Sequence, residues 1–164
     1  MLARGRLAKG LNGGLGTGAA TALRSAPAVV VKWVNNMGAM AINLYAAWAG
    51  FLFGCLSGAI PGLFFYRSDW LGGYASWPRR MIRLAHIAFF GIGFLNLSLA
   101  LTARSLGLQT GFQPSSALMI IGAVAMPAVC YLSAWKPVFR NFFFIPAGAV
   151  TVSIVLFIWR IIGS

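Results

Sequence analysis

The sequence predicts an all-α polytopic membrane protein, with about four transmembrane helices behind a basic N-terminal tail. Of its 164 residues, 60% are hydrophobic and only 9% are charged, and the apolar residues are gathered into four long runs. A typical soluble domain is about 45–50% apolar and about 25% charged, so this chain has too little polar surface for a water-exposed globule. Long apolar runs in a bilayer must satisfy their backbone amides internally, and an α-helix does so.

The first apolar run is longer than one membrane crossing needs and can span with some tilt, and the other three are each near the length of one crossing. At a rise of about 1.5 Å per residue, about 20 residues are enough to cross the hydrocarbon core. Pro61 is expected to bend or end the first helix, and Pro127 and Pro146 to kink the third and fourth. The short last connection predicts an antiparallel hairpin. The predicted spans are residues 40–66, 84–103, 116–134 and 142–159.

The charge balance is strongly basic, because 13 Lys and Arg face the single acid Asp69, for a net charge of +12. A nucleic-acid binder concentrates such charge on a solvated face, whereas the basic residues of this chain flank apolar runs. That arrangement suits contact with phospholipid headgroups. We therefore expect a membrane environment and no nucleic-acid partner.

Residues 1–35 form a tail without any acid, separate from a transmembrane domain over residues 36–164. Its composition is typical of a mitochondrial targeting segment, and equally of a polybasic tail lying on anionic lipid. We leave both interpretations open; the composition favours the mitochondrial inner membrane over a bacterial cytoplasmic membrane. The basic residues of the tail are Arg4, Arg6, Lys9, Arg24 and Lys32.

A second basic segment follows the first span. Residues 67–83 are expected to form a loop on the membrane surface, in which Trp70, Tyr74 and Trp77 alternate with arginines, as in an interfacial belt. The candidates for binding anionic lipid headgroups such as cardiolipin, or an acidic partner, are Arg67, Arg79, Arg80, Arg83, Lys136 and Arg140. Whether the tail is counted decides the orientation, and without it the first and third loops are predicted to face the cytoplasm or matrix.

A glycine stripe runs along the first span, at Gly50, Gly54, Gly58 and Gly62. Residues four apart lie nearly on one helical face, so missing side chains there let another helix approach closely. Ala46 and Asn43 extend this face, and the amide of Asn43 can hydrogen-bond across the contact. Two interpretations stay open: the face packs another helix of the same chain, or it receives a partner subunit or a lipid.

The four glycines followed by the basic Arg67 resemble the first span of the inner-membrane protein-translocase family, whose members also have four spans. That family carries further glycine stripes and an acidic residue in its second span. This chain has there only Gly91 and Gly93 and no acid, so we do not assign it to the family.

The side chains that could carry chemistry are few. His86, the single histidine, is a candidate haem ligand, although one histidine cannot build a two-histidine site. Asp69 is expected to pair with Arg67 or to cap a short turn. Cys55 and Cys130 each lie inside an apolar run and are interpreted as buried hydrophobes. We expect no resident metal or cofactor.

These features favour a non-catalytic subunit with a structural or assembly role in a larger inner-membrane complex, alongside other membrane subunits. Two alternatives remain: a haem-binding membrane module that uses His86, and a small transporter or channel component. In the transporter hypothesis, Asn43, Asn96 and the proline kinks line a path.

Overall fold

The computed structural model describes residues 28–108 and 110–163, and it describes side chains from residue 38 onward. The expectations for the tail over residues 1–27 lie outside the described residues. Internal contacts divide the chain into two units, Met1–Asn35 and Asn36–Ser164. Apart from the first residues of the first helix, the structure described below belongs to the second unit.

Four long α-helices make up the described part of the chain, which contains no strand. We number them α1 (Ala28–Gly62), α2 (Trp77–Ser105), α3 (Gln113–Trp135) and α4 (Phe144–Ile162). Short 3-10 helices at Trp70–Gly72 and Pro137–Phe142 lie in the first and third connections. Four stretches are long and apolar enough to cross a membrane: Gly38–Gly62, Trp77–Ser105, Gln113–Trp135 and Pro137–Ile162. The predicted fold class is confirmed.

The start of α2 differs from the sequence prediction. The loop was expected to continue to Arg83, but α2 begins at Trp77 and holds Arg79, Arg80 and Arg83 in its first two turns. Pro78 explains this start, because a proline in the first helical turn lacks only an N–H that has no helical partner there. The start of an apolar run indicates where a chain can enter hydrocarbon. A helix can begin earlier in the sequence, among residues too polar for that run.

Two other prolines lie near helix ends, and a third lies inside a helix. α1 ends at Gly62, directly after Pro61, and not at residue 66 as the apolar run suggested. Pro146 lies in the first turn of α4, where a proline removes no helical hydrogen bond and does not bend the helix. The sequence had placed this proline within the fourth span, where a kink was expected. Pro127 does lie inside α3, and its missing N–H removes the helical bond to the carbonyl of Ala123.

α2, α3 and α4 pack as antiparallel neighbours. The indole of Trp77, at the start of α2, donates a 2.8 Å hydrogen bond to the carbonyl of Ser133, near the end of α3. The hydroxyl of Ser153 on α4 donates a 2.6 Å bond to the carbonyl of Ser115, near the start of α3. The predicted hairpin of the last two spans is therefore confirmed. The buried apolar cluster between these helices comprises Ile92, Leu99, Ala103, Leu108, Phe112 and Met119.

The glycine stripe packs α1 against α2. A Cβ added at Gly50 would lie 3.1 Å from the carbonyl oxygen of Phe89, and one at Gly54 would lie 2.6 Å from the ring of Phe90. Gly58 faces the imidazole of His86, whereas nothing lies within 4 Å of a Cβ added at Gly62. Residues later in α1 contact residues earlier in α2, so these two helices are also antiparallel. Three of the four stripe glycines thus contact a helix of their own chain.

This topology collects the basic connections at one end of the bundle, which we call the basic end. The end of α1, the start of α2, the end of α3 and the start of α4 all lie there. Every candidate headgroup residue from Arg67 to Arg140 falls in or beside these two connections.

We predict that Gly54→Leu destabilises the bundle by about 1–3 kcal/mol, because the new side chain would have to displace the Phe90 ring. Thermal unfolding of the detergent-solubilised protein measures the effect. Gly91→Leu is the matched control, since a Cβ at Gly91 meets nothing within 4 Å and leucine is a better helix former than glycine. An equal loss in both variants would contradict the packing of α1 on α2.

Candidate functional site: an arginine–aromatic cluster at the basic end

The connection from α1 to α2 turns sharply through three consecutive residues with positive φ. Leu71, Gly72 and Gly73 have φ angles of 55°, 83° and 90°. Glycine adopts this conformation freely, whereas the leucine costs about 1–2 kcal/mol. The turn brings the rings of Trp70 and Tyr74 back over the first turn of α2.

Arg79 lies beneath these rings, and its side chain is only 4% exposed. Its guanidinium carbon is 5.1 Å from the centroid of Phe65, 5.6 Å from that of Trp70 and 5.6 Å from that of Tyr74. Each contact of this kind contributes about 0.5–2 kcal/mol. We call Phe65, Trp70, Tyr74, Arg79 and Arg83 the arginine–aromatic cluster.

Arg83 contacts the same tyrosine from one helical turn further along α2. Its guanidinium carbon lies 4.3 Å from the centroid of Tyr74, and its Nη2 donates a 3.2 Å hydrogen bond to the carbonyl of that residue. Residues four apart on a helix share a face, so Arg79 and Arg83 present two positive charges on one side of α2.

The positive charge of the cluster is not neutralised within the described chain. Asp69 stands at the N-cap position of the 3-10 helix Trp70–Gly72, but its side chain makes no capping hydrogen bond. It forms no ion pair with Arg67 or any other described cation. Both roles expected for this carboxylate are therefore wrong. Arg67 contacts the ring of Tyr66 instead, at 5.7 Å from its centroid.

The guanidinium of Arg79 also lacks hydrogen-bond acceptors among the described residues. Its Nε is fully enclosed and has no partner, and no described residue accepts from its other nitrogens. Arginine stays protonated in proteins, so it cannot escape burial by losing its charge. Leaving a buried charged donor unpaired is costly, and an anionic oxygen placed against it would remove that cost.

The other basic candidates are exposed at the same end. Lys136 lies over the ring of Trp135 at 5.1 Å, while Arg80 and Arg140 extend into the surroundings without a described partner. These three side chains and Arg67 differ from Arg79, because each is exposed and Arg79 is buried.

His86 lies on α2 three residues after Arg83, and its ring packs against α1. Its Nδ1 lies 2.8 Å from the carbonyl oxygen of Gly54, which also accepts a 3.0 Å bond from the hydroxyl of Ser57. A carbonyl only accepts, so Nδ1 must carry the proton, and a neutral ring then presents Nε2 as an acceptor. The ring borders a cavity of about 240 Å³ that Arg83 and Phe65 also line. Among the described residues, no three His, Cys, Asp or Glu side chains come together as a metal site.

Asn43 is completely buried, and it faces α3. Its Oδ1 accepts a 2.8 Å hydrogen bond from the hydroxyl of Ser116, while its Nδ2 has no partner. Asn96 is also fully buried and donates to the carbonyl of Ile92. Both asparagines of the transporter hypothesis therefore lie inside the packed bundle.

Ala46 lies beside an apolar groove of about 380 Å³ between α1, α2 and α3. Other small residues, including Gly50, Gly93 and Ala123, also line the groove, and so does Pro127 of α3. The small-residue face of α1 is thus shared between the α2 contact and this groove.

The sequence identified the arginines and two of the three rings, but it did not identify the burial of Arg79 or the role of Phe65. Phe65 was placed inside the first span because it continues an apolar run. The usable signal was Pro61 followed by Gly72 and Gly73, which together predict that the chain turns back on itself at this point.

We predict that Ser116→Ala destabilises the bundle by about 0.6–1.7 kcal/mol, because it removes the donor to Asn43 inside the membrane. A double-mutant cycle with Asn43→Ala isolates the pair. Ser98→Ala, an exposed serine on α2, is the control. Additive effects in the cycle would mean that the two residues are not coupled.

No protein-family model, curated protein sequence or solved structure matches this chain, so its own residues are the basis for proposing a function.

Proposed function

We propose that this chain is a non-catalytic integral membrane subunit with a structural or assembly role in a larger inner-membrane complex, held at its basic end by anionic lipid. The observation that carries the proposal is the uncompensated charge of the arginine–aromatic cluster. Arg79 is buried without a carboxylate or an acceptor among the described residues. An anionic group from outside the described chain would supply the missing counter-charge and acceptors.

The scaffold suits a rigid subunit. Gly50, Gly54 and Gly58 bring α1 into close contact with α2, and hydrogen bonds from Trp77 and Ser153 tie the remaining helices together. Because the stripe glycines already contact α2, lateral packing on partner subunits is proposed to use the outward faces of the helices. Those faces carry Trp48, Leu52 and Phe94, which are more than half exposed.

Co-purification in mild detergent tests this proposal. We predict that the tagged chain, extracted from its native membrane, migrates on a native gel in an assembly much larger than its own 17.5 kDa. Quantitative mass spectrometry should find one or more membrane proteins in constant ratio to it. A tagged four-span protein of unrelated sequence is the control. Migration of the chain alone, with no protein in constant ratio, would contradict the assembly role.

A haem-binding module is the second candidate, because the contact between His86 Nδ1 and the Gly54 carbonyl leaves Nε2 as the free nitrogen. Ligating histidines commonly have their other ring nitrogen fixed in this way. The absorption spectrum of the same preparation separates the two candidates. A Soret band that disappears in His86→Ala would replace the structural proposal with the haem one.

A further inference from the structure

We propose that the arginine–aromatic cluster is the headgroup site of one bound anionic phospholipid, with its phosphate held by Arg79 and Arg83 and an acyl chain in the adjoining cavity. This inference rests on the proposed function, since it names the ligand that holds the basic end in the membrane.

Arg79 is enclosed by its neighbours and lacks hydrogen-bond acceptors among the described residues. Its side chain is 4% exposed, its Nε has no partner, and no described residue accepts from the rest of its guanidinium. Aromatic rings stabilise the cation but accept no conventional hydrogen bonds from it. The guanidinium fork matches the oxygens of a phosphate, with which it makes short, charge-assisted bonds.

A second positive charge lies beside Arg79. Arg83 lies one turn away on the same face and contacts the same Tyr74 ring. Both arginines occupy the first two turns of α2, where the helix dipole adds positive potential, and no acid lies in the first turn. A neutral carbonyl would satisfy donors but leave this charge in place, so the site calls for an anion.

A cavity adjoins these charges. Arg83 and Phe65 belong both to the cluster and to the walls of the 240 Å³ cavity. The other walls are largely apolar and include Pro61, Ile82 and Ile87. A ligand that fits this combination has an anionic head and an apolar tail.

The place of the site in the fold identifies the source of that ligand. The cluster lies where α1 ends and α2 begins, at one end of four helices long enough to span a membrane. Phospholipid phosphates are concentrated at that depth, and acyl chains begin directly below them. Free phosphate would satisfy the arginines but leave the cavity unfilled.

Native mass spectrometry of the full chain tests the site. The protein is purified in mild detergent, stripped of lipid, and titrated with phosphatidylglycerol or phosphatidylcholine. We expect one tightly bound phosphatidylglycerol, favoured about tenfold or more over phosphatidylcholine, and loss of that preference in Arg79→Gln. Arg80→Gln removes the same charge from the neighbouring exposed position, so it should change binding by about twofold or less.

Circular dichroism and thermal unfolding establish whether Arg79→Gln is folded. If it is not, Arg83→Gln takes its place, because Arg83 is only partly buried, and the same loss is expected. Equal weakening by Arg79→Gln and Arg80→Gln would overturn the site in favour of diffuse surface attraction. Equal binding of the two lipids would overturn the anionic-lipid site. Displacement of the lipid by excess inorganic phosphate would overturn it in favour of a free anion.

The outcome is separable from that of the proposed function. Specific lipid binding by a chain that has no constant partner would contradict only the assembly role. A stable assembly that contains Arg79→Gln, with the lipid lost, would leave both the assembly role and the lipid site intact. A stable assembly in which the wild-type chain shows no lipid preference would contradict the lipid site and the lipid part of the proposed function, but not the assembly role.

Discussion

The close approach of α1 to α2 is the contact on which the rest of the structure depends. Association of helices in a membrane gains little from the hydrophobic effect, because lipid tails are as apolar as the side chains they replace. Packing must supply the attraction, and packing is best where backbones come close. Gly50, Gly54 and Gly58 remove the side chains that would keep α1 away from Phe89, Phe90 and His86. The small residues are therefore used within the chain.

That contact also decides what the basic end can do. Because α1 and α2 are antiparallel and adjacent, the chain must reverse between Gly62 and Trp77. The reversal lays Phe65, Trp70 and Tyr74 over Arg79, which would otherwise lie at the helix surface. A buried cation without a counter-charge among the described residues follows from the helix packing, and it is the observation behind the proposed lipid site.

The sequence predicted the fold class and the number of spans, since a long apolar run without charges has few other structures open to it in a bilayer. It misplaced the start of α2, because arginines at the headgroups end an apolar run without ending a helix. For the site, the residue types were readable and their burial was not. Arg79 and Arg80 are adjacent and chemically identical in sequence, and only the fold of the preceding turn makes one buried and the other exposed. The stripe could be read from its spacing, but spacing is the same whether the neighbouring helix belongs to the same chain or to another.

A cysteine pair tests the central contact most directly. A Cβ added at Gly50 would lie 3.5 Å from the Cα of Gly93. The two Cα atoms are therefore no more than about 5 Å apart, inside the roughly 4.4–6.8 Å separation of Cα atoms in disulfides. In a chain with Cys55→Ala and Cys130→Ala, the pair Gly50→Cys and Gly93→Cys should oxidise in membranes to an intramolecular disulfide that migrates as a monomer on a non-reducing gel. Disulfide-linked dimers through the same two positions, without the intramolecular product, would contradict the packing of α1 on α2 within one chain.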